Sequence, residues 1–337
     1  MSDQLKATAK AMVAPGKGIL AADESFPTIE KRFKSINIAS TEEARQGYRN
    51  MMFTAPNVGD YISGVILFDE TLRQSTNDGV PFPKWLQEQG VIPGIKVDKG
   101  AKPLAGFPGE KYTLGLDGLR ERLAEYYQLG ARFAKWRAVI TIGNGIPSDF
   151  CLDANARALA HYAALCQEAN IVPIVEPEVL MDGDNDLARC QAVTERTLTQ
   201  CFYELARHRV DLEGIVLKPN MVISGKGCPV QASVEEVAQA TVTTLKRCVP
   251  PAVPGIAFLS GGQSEQLATE HLNAMNKLGD LPWELTFSYG RALQESGLKT
   301  WAGQAGNVPA AQNAFLKRAK CNSAARFGKY SADMEAA

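Results

Sequence analysis

Short runs of apolar and β-branched residues recur along the chain at intervals of about 30 to 45 residues. Runs of this length, bounded by glycine, proline or polar residues, are typical of buried strands. They predict eight strands, at residues 18–23, 61–69, 93–98, 131–139, 171–179, 214–222, 255–262 and 284–291.

Amphipathic helix patterns separate these runs, with apolar residues recurring at spacings of three and four. They are clearest in LDGLRERLAEYYQLG, ALAHYAALCQEAN, NDLARCQAVTERTLTQCFYELARHR, SVEEVAQATVTTLKRC and SEQLATEHLNAMNKLG. Ser233 and Glu236 have the spacing of a capping box, and Gly130 and Gly279 stand where helices should end. Strands that alternate with helices predict a parallel sheet.

Eight strand-helix units favour a closed (β/α)8 TIM barrel over an open doubly wound sheet. The dinucleotide-binding form of the open sheet carries GxGxxG after its first strand, and this chain has no such motif there. We predict an α/β fold in one domain over residues 1–337, with the barrel at about 18–291. A C-terminal helical extension at about 292–330 has no strand partner.

Polar side chains gather where the predicted strands end. They are Asp23, Lys96, Asp98, Lys135, Arg137, Glu176, Glu178, Lys218, Asn220, Ser260, Ser288 and Arg291. Residues two apart share one face of a strand, so most of these pairs point together, and Trp136 is expected on the opposite face. Pro177 and Pro219 lack the amide donor that a central strand needs, so each predicts that its strand is ending. One such charge can be a solvated rim residue, but charges at nearly every strand end predict an active site at the barrel mouth.

Lys218 interrupts an apolar run, and lysine is almost never fully buried unless it is paired. Burial and the neighbouring cations Lys135 and Arg137 can turn its ammonium into a neutral amine nucleophile. Such an amine condenses with a ketone to a Schiff base, a step that needs a nearby acid and base. The carboxylates available for that work are Glu176, Glu178 and Asp23. The iminium then withdraws electrons from the adjacent carbon, so a carbon-carbon bond can break without a metal.

Two groups of residues suggest a ligand with a phosphate at each end. Ser260, Gly261 and Gly262 open the helix after the seventh strand, where backbone amides and a helix N-terminus can face an anion. Ser288 and Arg291 lie on the neighbouring strand. The far end of an elongated substrate could meet a second set, namely Ser25, Lys31, Arg32, Lys96 and Arg137.

Composition narrows the partners and cofactors. The 36 basic and 37 acidic side chains leave a net charge of −1, which gives no long-range field for nucleic acid or an anionic membrane. The first twenty residues have no signal-peptide pattern and no uncharged apolar run approaches about 18 residues, so we expect a cytoplasmic protein. Seven scattered cysteines without CxxC fit reduced thiols. Three histidines without HxH or HExxH spacing predict no metal site, and we expect no other cofactor.

Seven segments carry a resemblance to a known family: GKGILAADES, GIKVDKG, FAKWRAV, IVPIVEPEVL, LEGIVLKPNMV, AFLSGGQSE and LTFSYGRALQ. In this order they resemble class I fructose-1,6-bisphosphate aldolase over nearly the full chain, and VEPEVL with LKPNMV is highly specific. The resemblance implies a metal-independent carbon-carbon lyase of glycolysis and gluconeogenesis. Its substrate would be fructose 1,6-bisphosphate, cleaved reversibly to dihydroxyacetone phosphate and glyceraldehyde 3-phosphate.

The resemblance also implies residue roles. Lys218 would form the Schiff base, and Glu176 would be the main general acid and base, with Lys135 assisting. Asp23 would take the proton of the C4 hydroxyl, and Glu178 would support that network. The implied phosphate-binding residues are Ser260, Gly261, Gly262, Ser288 and Arg291 at one end, and Ser25, Arg32 and Lys96 towards the other. The family further implies a homotetramer that acts on a small-molecule sugar bisphosphate.

Two departures from the family pattern stand out. This chain has Ser25-Phe26-Pro27-Thr28 where the familiar form has S-T-G-S, so it keeps a hydroxyl at Thr28 but replaces a glycine with a proline. The chain also stops seven residues past Tyr330, whereas many relatives continue to a terminal tyrosine that enters the active site. Tyr330 lies before that tail and is not expected to take its role.

Two hypotheses compete with the aldolase. The first is another lysine-dependent barrel, such as a transaldolase, which would not cleave fructose 1,6-bisphosphate without an acceptor aldehyde. The second is a catalytically silent barrel that serves as a binding or scaffold protein. The intact set of Lys218, Glu176 and Asp23 argues against the second hypothesis.

Overall fold

The predicted strands close into a barrel in the computed structural model, which describes residues 3–336. Residues 1, 2 and 337 of the predicted 1–337 domain lie outside the described residues. The strands are β1 Gly18–Ala22, β2 Ile62–Leu67, β3 Ile92–Lys96, β4 Ala101–Pro103, β5 Lys111–Thr113, β6 Phe133–Ile140, β7 Val172–Val179, β8 Val216–Leu217, β9 Gly255–Phe258 and β10 Glu284–Tyr289. All except the antiparallel pair β4 and β5 form a closed parallel barrel in chain order. The predicted (β/α)8 TIM barrel is therefore confirmed.

Helices follow the strands along the chain. They are α1 Asp3–Met12, α2 Phe26–Lys34, α3 Glu42–Phe53, α4 Asp69–Leu72, α5 Phe82–Glu88, α6 Leu119–Gln128, α7 Asp149–Glu168, α8 Leu187–Arg207, α9 Val234–Cys248, α10 Glu265–Lys277, α11 Arg291–Trp301, α12 Val308–Arg326 and α13 Asp333–Ala336. The capping box of Ser233 and Glu236 opens α9. Gly130 and Gly279 follow α6 and α10 with φ of 106° and 66°, as helix stops do. In the part of the chain that the structure describes, no helix is long and apolar enough to cross a membrane.

Apolar side chains fill the barrel interior at the N-terminal ends of the strands. They include Ile19, Phe133, Val172, Ile174 and Val216, none of which is accessible to solvent. Helix α1 packs against the same cluster through Leu5 and Met12 and so covers this end of the barrel. A methyl group at Gly94 would lie 2.2 Å from the Phe133 ring, so this glycine makes room for the phenylalanine.

Pro177 does not end its strand, so that prediction is wrong. Strand β7 continues to Val179 and stays paired with β6. Val175 O accepts a hydrogen bond from Lys218 N at 2.8 Å, and Val179 N donates to Asn220 Oδ1 at 3.0 Å. The backbone N–H and C=O groups of the odd-numbered residues of β7 therefore point towards β8 and the chain that follows it. Strand β8 is only two residues long. Pro177 lies beyond the end of β8, where its missing donor breaks no hydrogen bond of the sheet.

The chain beyond β10 packs on the outside of the barrel. Helix α11 follows β10 directly, and α12 contacts α3, α10 and α11. Arg326 of α12 donates to the carbonyls of Val13 and Lys17 at 3.0 and 2.9 Å, which ties α12 to the chain just before β1. Arg318 and Glu335 form two hydrogen bonds, of 2.8 and 2.6 Å, and these hold α13 against α12.

Candidate active site at the barrel mouth

A cavity of about 420 Å³ opens at the C-terminal ends of the barrel strands. Its volume lies in the range of small-molecule sites, about 300–1,000 Å³. All the residues predicted for catalysis or phosphate binding line it: Lys218, Glu176, Asp23, Lys135, Glu178, Ser25, Arg32, Lys96, Arg137, Ser260, Gly261, Gly262, Ser288 and Arg291. Lys31, the further cation considered for the far end, is exposed on α2 and does not line the cavity.

Lys218 leaves β8 where the strand ends, and its side chain turns into the cavity. That side chain is only 4% exposed, and its Nζ lies 3.4 Å from Glu176 Oε1. Burial is the largest influence and lowers the pKa of Lys218; Glu176 opposes this effect and the Lys135 ammonium adds to it, so the pKa falls below its ordinary value. A lowered pKa increases the fraction of neutral amine, which is the form that attacks a carbonyl carbon.

Glu176 lies between two lysines. Its Oε2 is 3.1 Å from Lys135 Nζ, and Lys135 Nζ also donates to Asp23 Oδ2 at 2.9 Å. Burial acts to lower the pKa of Lys135, but Asp23 and Glu176 outweigh burial and raise it. Burial acts to raise the pKa of Asp23, but Lys135 and Lys218 outweigh burial and lower it. Lys135 therefore keeps its proton and Asp23 stays ionised at neutral pH, while the environment of Lys218 favours loss of its proton.

Two further cations face the cavity beside this group. Arg137 Nε donates to the buried Glu178 carboxylate, and Lys96 Nζ lies 2.9 Å from Asp98 Oδ1. Asp98 Oδ2 also accepts from the amide of Arg137 at 3.3 Å, which links the ends of β3 and β6. Lys96 and Arg137 are 15% and 42% exposed, so both cations can meet an anion that enters the cavity.

The segment Ser260–Gly262 joins β9 to α10 and offers backbone donors to the cavity. Gly261 and Gly262 have φ of 53° and 73°, which side-chain-bearing residues rarely adopt. Leu259 N donates to Pro219 O at 3.2 Å, which ties this segment to the chain just after β8. Within residues 3–336, the amides of Gly261 and Gly262 have no hydrogen-bond acceptor. Free amides beside a helix N-terminus are typical of anion sites.

Ser288 and Arg291 flank that segment from β10 and α11. Ser288 is 1% exposed, and its hydroxyl has no partner among the described residues. Arg291 Nη2 donates to Gln263 O at 2.6 Å, which places the guanidinium beside the glycines. A buried hydroxyl without a partner is destabilising unless a ligand or water satisfies it, so this position favours a ligand oxygen.

Ser25, Thr28 and Arg32 line the cavity where α2 begins, and a Cβ at Gly290 would lie 3.3 Å from Arg32 Nη2. Arg32 forms an ion pair with Glu24, and its Nη1 donates to Gln294 Oε1 at 3.1 Å. Ser25 Oγ lies 3.2 Å from Thr28 Oγ1, so the two hydroxyls stand together at the start of α2. Donors and cations therefore lie on two loops of the cavity, the one that opens α2 and the one that joins β9 to α10.

The substituted segment Ser25-Phe26-Pro27-Thr28 forms the first turn of α2. Pro27 falls in that turn, where an amide has no intrahelical acceptor and proline is tolerated. Phe26 packs edge to face with Phe68 at 5.2 Å and lies beneath the Arg45 guanidinium at 4.7 Å. The turn is therefore held by an aromatic contact outside the cavity, while Thr28 keeps its hydroxyl inside.

Sequence reasoning did not place Glu24, Asp182 and Lys226 in the site, yet all three line the cavity. Glu24 directly follows Asp23 at the end of the first strand, so its position in the sequence could have indicated that it lies near the site. Asp182 and Lys226 lie on the loops after β7 and β8, and their Oδ1 and Nζ atoms are 2.8 Å apart. No motif spacing links these two residues, because only the fold brings the two loops together.

A larger groove, of about 1130 Å³, lies on the outside between α8, α9, α10 and residues 330–332. Most of its charged lining residues are exposed on helix surfaces. Buried ionisable groups that perturb one another mark functional sites better than volume does, so the barrel mouth is the candidate active site.

Comparison with known proteins now decides the family. A family model described as fructose-bisphosphate aldolase class-I matches residues 4–337. The chain belongs to this aldolase family. It is 61% identical over 329 residues to a probable fructose-bisphosphate aldolase class 1 of Xanthomonas campestris pv. campestris, covering 97% of this chain and 98% of that protein. It is 58% identical over 330 residues to the cytosolic fructose-bisphosphate aldolase 5 of Arabidopsis thaliana, covering 98% of this chain and 92% of that protein.

A solved structure agrees with the aldolase assignment. Fructose-bisphosphate aldolase from Plasmodium falciparum, in complex with TRAP and a small-molecule inhibitor, superposes with a TM-score of 0.96 at 50% identity. The superposition covers 98% of this chain and 95% of that chain. The family match spans every barrel strand and both ends of the cavity, so an aldolase is better supported than a transaldolase or a silent barrel.

Proposed function

We propose that this class I aldolase cleaves fructose 1,6-bisphosphate reversibly to dihydroxyacetone phosphate and glyceraldehyde 3-phosphate through an imine on Lys218. The observation that carries the proposal is a buried amine of lowered pKa, 3.4 Å from Glu176, with the cationic Lys135 on the far side of that carboxylate. This arrangement supplies a nucleophile, a proton carrier and a fixed positive charge within one cavity.

Imine formation begins when the neutral Nζ of Lys218 attacks C2 of the open-chain ketose. Glu176 lies within reach of Nζ and can carry a proton from the nitrogen to the C2 hydroxyl, which then leaves as water. Lys135, 3.1 Å from Glu176, stabilises the carboxylate between these two transfers. The product is an iminium that joins C2 to Lys218 and holds a positive charge beside C3.

Bond cleavage follows when a base removes the proton of the C4 hydroxyl. Asp23 is suited to this step because Lys135 and Lys218 keep its pKa low, so it is present as a carboxylate. The electrons of the C3–C4 bond move to the iminium, the C4 oxygen becomes the carbonyl of glyceraldehyde 3-phosphate, and an enamine remains on Lys218. Glu178, held by Arg137, supports the same network. Protonation at C3 and hydrolysis then release dihydroxyacetone phosphate.

The two phosphates take opposite ends of the cavity. C1 is bonded to C2, so the 1-phosphate must lie close to Lys218. The segment Ser260–Gly262 meets this condition because β9 pairs with β8 and Leu259 N donates to Pro219 O. Ser288 and Arg291 complete that end. The 6-phosphate would meet Ser25, Arg32, Lys96 and Arg137, which line the same cavity.

A coupled cleavage assay tests the proposal. Glyceraldehyde 3-phosphate should form from fructose 1,6-bisphosphate without an acceptor aldehyde, and EDTA should leave the rate unchanged. A requirement for an acceptor would favour a transaldolase, and loss of activity with EDTA would exclude a metal-free imine mechanism. Absence of any cleavage would favour the scaffold hypothesis.

We further propose that the chain acts as one domain in the cytoplasm and assembles as a homotetramer. Support for the first point comes from the family match over residues 4–337, and support for the second comes from the similarity to the cytosolic aldolase 5 of Arabidopsis thaliana. Light scattering coupled to gel filtration measures the assembly, and a mass near four times 36.5 kDa is expected.

A further inference from the structure

We propose that Lys226 is a specificity-determining residue that leaves Asp182 and binds the 1-phosphate of the substrate at Ser260–Gly262. The proposal rests on the function proposed above and assigns this lysine to one end of the same cavity. Lys226 lies on the loop after β8 and lines the cavity together with Gly261, Gly262 and Arg291.

The backbone around Lys226 is fixed by a neighbouring loop. Lys226 N donates to Met181 O at 2.8 Å, and Gly227 N donates to Gly183 O at 2.9 Å. The approach is so close that a Cβ at Gly225 would lie 2.3 Å from Gly183 O. The loops after β7 and β8 therefore hold each other, and they carry Lys226 to the cavity rim as a positioned residue.

The Lys226 side chain lies directly over the phosphate-binding glycines. A Cβ at Gly262 would be 2.7 Å from Cε and 2.9 Å from Nζ of Lys226. The φ of 73° at Gly262 favours glycine, and the flexible end of the Lys226 side chain packs on the open space that glycine leaves. The ammonium is close enough to the free amides of this segment to bind the same anion that they bind.

Lys226 can exchange its partner because its present ion pair is exposed. The side chains of Lys226 and Asp182 are 54% and 60% exposed, and exposed pairs of this kind contribute little net stability. A phosphate dianion held by amides and Arg291 is a stronger partner than one solvated carboxylate, because it has twice the charge and more acceptor oxygens. Arg291 already donates to Gln263 O and pairs with Glu295. A second cation would therefore strengthen phosphate binding at this end.

The buried hydroxyl of Ser288 supports a ligand at this end of the cavity. Ser288 is 1% exposed, and its hydroxyl has no hydrogen-bond partner within residues 3–336. A phosphate on Ser260–Gly262 would satisfy that hydroxyl from one side and meet the Lys226 ammonium from the other. Asp182 would then be released to solvent.

The test uses Lys226→Met, Lys226→Arg and Asp182→Asn, with Lys34→Met as a control. Lys34 forms a similarly exposed ion pair with Glu30 at 2.9 Å but does not line the cavity. Lys226→Met should raise KM for both fructose 1,6-bisphosphate and fructose 1-phosphate by about 5- to 10-fold, with kcat within about 2-fold, because the lost contact is to a non-reacting phosphate. Lys226→Arg should restore most of the affinity.

Asp182→Asn separates phosphate binding from a structural ion pair. If Lys226 binds the phosphate, removing the competing carboxylate should lower KM. Lys226→Met and Asp182→Asn should then change KM in opposite directions. If the ion pair only holds the loops, both variants should raise KM together. A KM for Lys226→Met equal to that of the wild type, or an effect on fructose 1,6-bisphosphate but not on fructose 1-phosphate, would also overturn the proposal.

Calorimetric titration with inorganic phosphate keeps this proposal separate from the proposed reaction. Lys226→Met should weaken one class of phosphate site by about 5- to 10-fold, whereas Lys34→Met should not. If the wild type fails to cleave any sugar phosphate but shows this difference, the proposed reaction fails and the phosphate site stands. If it cleaves the substrate without this difference, the phosphate site fails alone.

Discussion

The two ends of the barrel interior use the same strands for opposite purposes. Along β6, the inward side chains change from Phe133 to Lys135, and along β7 they change from Ile174 to Glu176. Strand β8 shows the same change from Val216 to Lys218 within three residues. Near the N-terminal ends each of these side chains is apolar and packs against other apolar side chains. Near the C-terminal ends each is charged and faces the cavity.

The alternation of side chains along each strand serves both packing and chemistry. Side chains two apart share a face, so a charge placed two residues after an apolar inward residue must enter the cavity. Interdigitated apolar packing at one end fixes the strands, and the fixed strands hold Lys218 and Lys135 at the distances from Glu176 and from each other that shift the pKa values of the two lysines. Changes at one end should therefore affect stability, and changes at the other should affect catalysis.

The largest effect is expected at the mouth, from Lys218→Met. Cleavage should fall by roughly 10⁴-fold or more, because no other group supplies the imine nitrogen. The free energy of unfolding should not fall, since an apolar side chain of similar length replaces a buried amine. Steady-state cleavage and urea unfolding measure both, with the exposed Lys34→Met as the matched control. Cleavage near the wild-type rate would place the nucleophile elsewhere.

The strongest test of the other end is Phe133→Ala. Phe133 is fully buried, and its removal should lower the free energy of unfolding by about 3–5 kcal/mol. The rate per folded molecule should change only a few-fold, because Lys135 and Glu176 keep their partners. Phe150→Ala is the control. Because Phe150 is 51% exposed, its removal should lower the free energy of unfolding far less. A stable variant with a collapsed rate would contradict the division between the two ends.

Lys135→Met tests whether the Lys135 ammonium controls the pKa of Lys218 at the barrel mouth. The Lys135 ammonium lowers the pKa of Lys218, so its removal should raise that pKa. An amine of higher pKa needs a higher pH to lose its proton, so the acid limb of imine formation should move to higher pH. The pH dependence of borohydride trapping measures this shift. Arg137→Met is the control, because Arg137 pairs with Glu178, and an unchanged limb in Lys135→Met would refute the coupling.

The smallest effect is expected from an ion pair that faces neither end, between the buried Arg318 and the partly buried Glu335. Glu335 holds Arg318 by two hydrogen bonds, and Tyr330 OH also donates to Glu335 at 2.8 Å. Glu335→Gln should lower the free energy of unfolding by about 1–3 kcal/mol and leave kcat unchanged. The exposed Asp333→Asn on the same tail should change neither the free energy of unfolding nor kcat. A fall in kcat for Glu335→Gln alone would show that the tail contributes to catalysis.

Much of the division between the apolar and the charged end of the barrel could be predicted from the sequence, because it depends on the alternation of side chains along each strand. The eight strands, the shared face of Lys135 and Arg137, and the opposite direction of Trp136, whose ring packs 5.6 Å from Tyr162, all follow from a period of two. The termination of β8 before Pro219 also follows from local chemistry.

Features that depend on distant partners could not be predicted in this way. Whether Pro177 ends β7 depends on the length of β8, which is not written in the sequence of β7. The approach of Lys226 to Gly262 depends on two loops that pair only after the barrel closes. The Arg318–Glu335 pair likewise joins residues whose spacing matches no helical or strand repeat.

Trapping the imine chemically shows which lysine forms it. The protein is incubated with dihydroxyacetone phosphate, reduced with borohydride, digested and mapped by mass spectrometry. We predict one adduct per chain, on Lys218 alone. An adduct on Lys135 or another lysine, or an unmodified Lys218 after complete inactivation, would contradict the account.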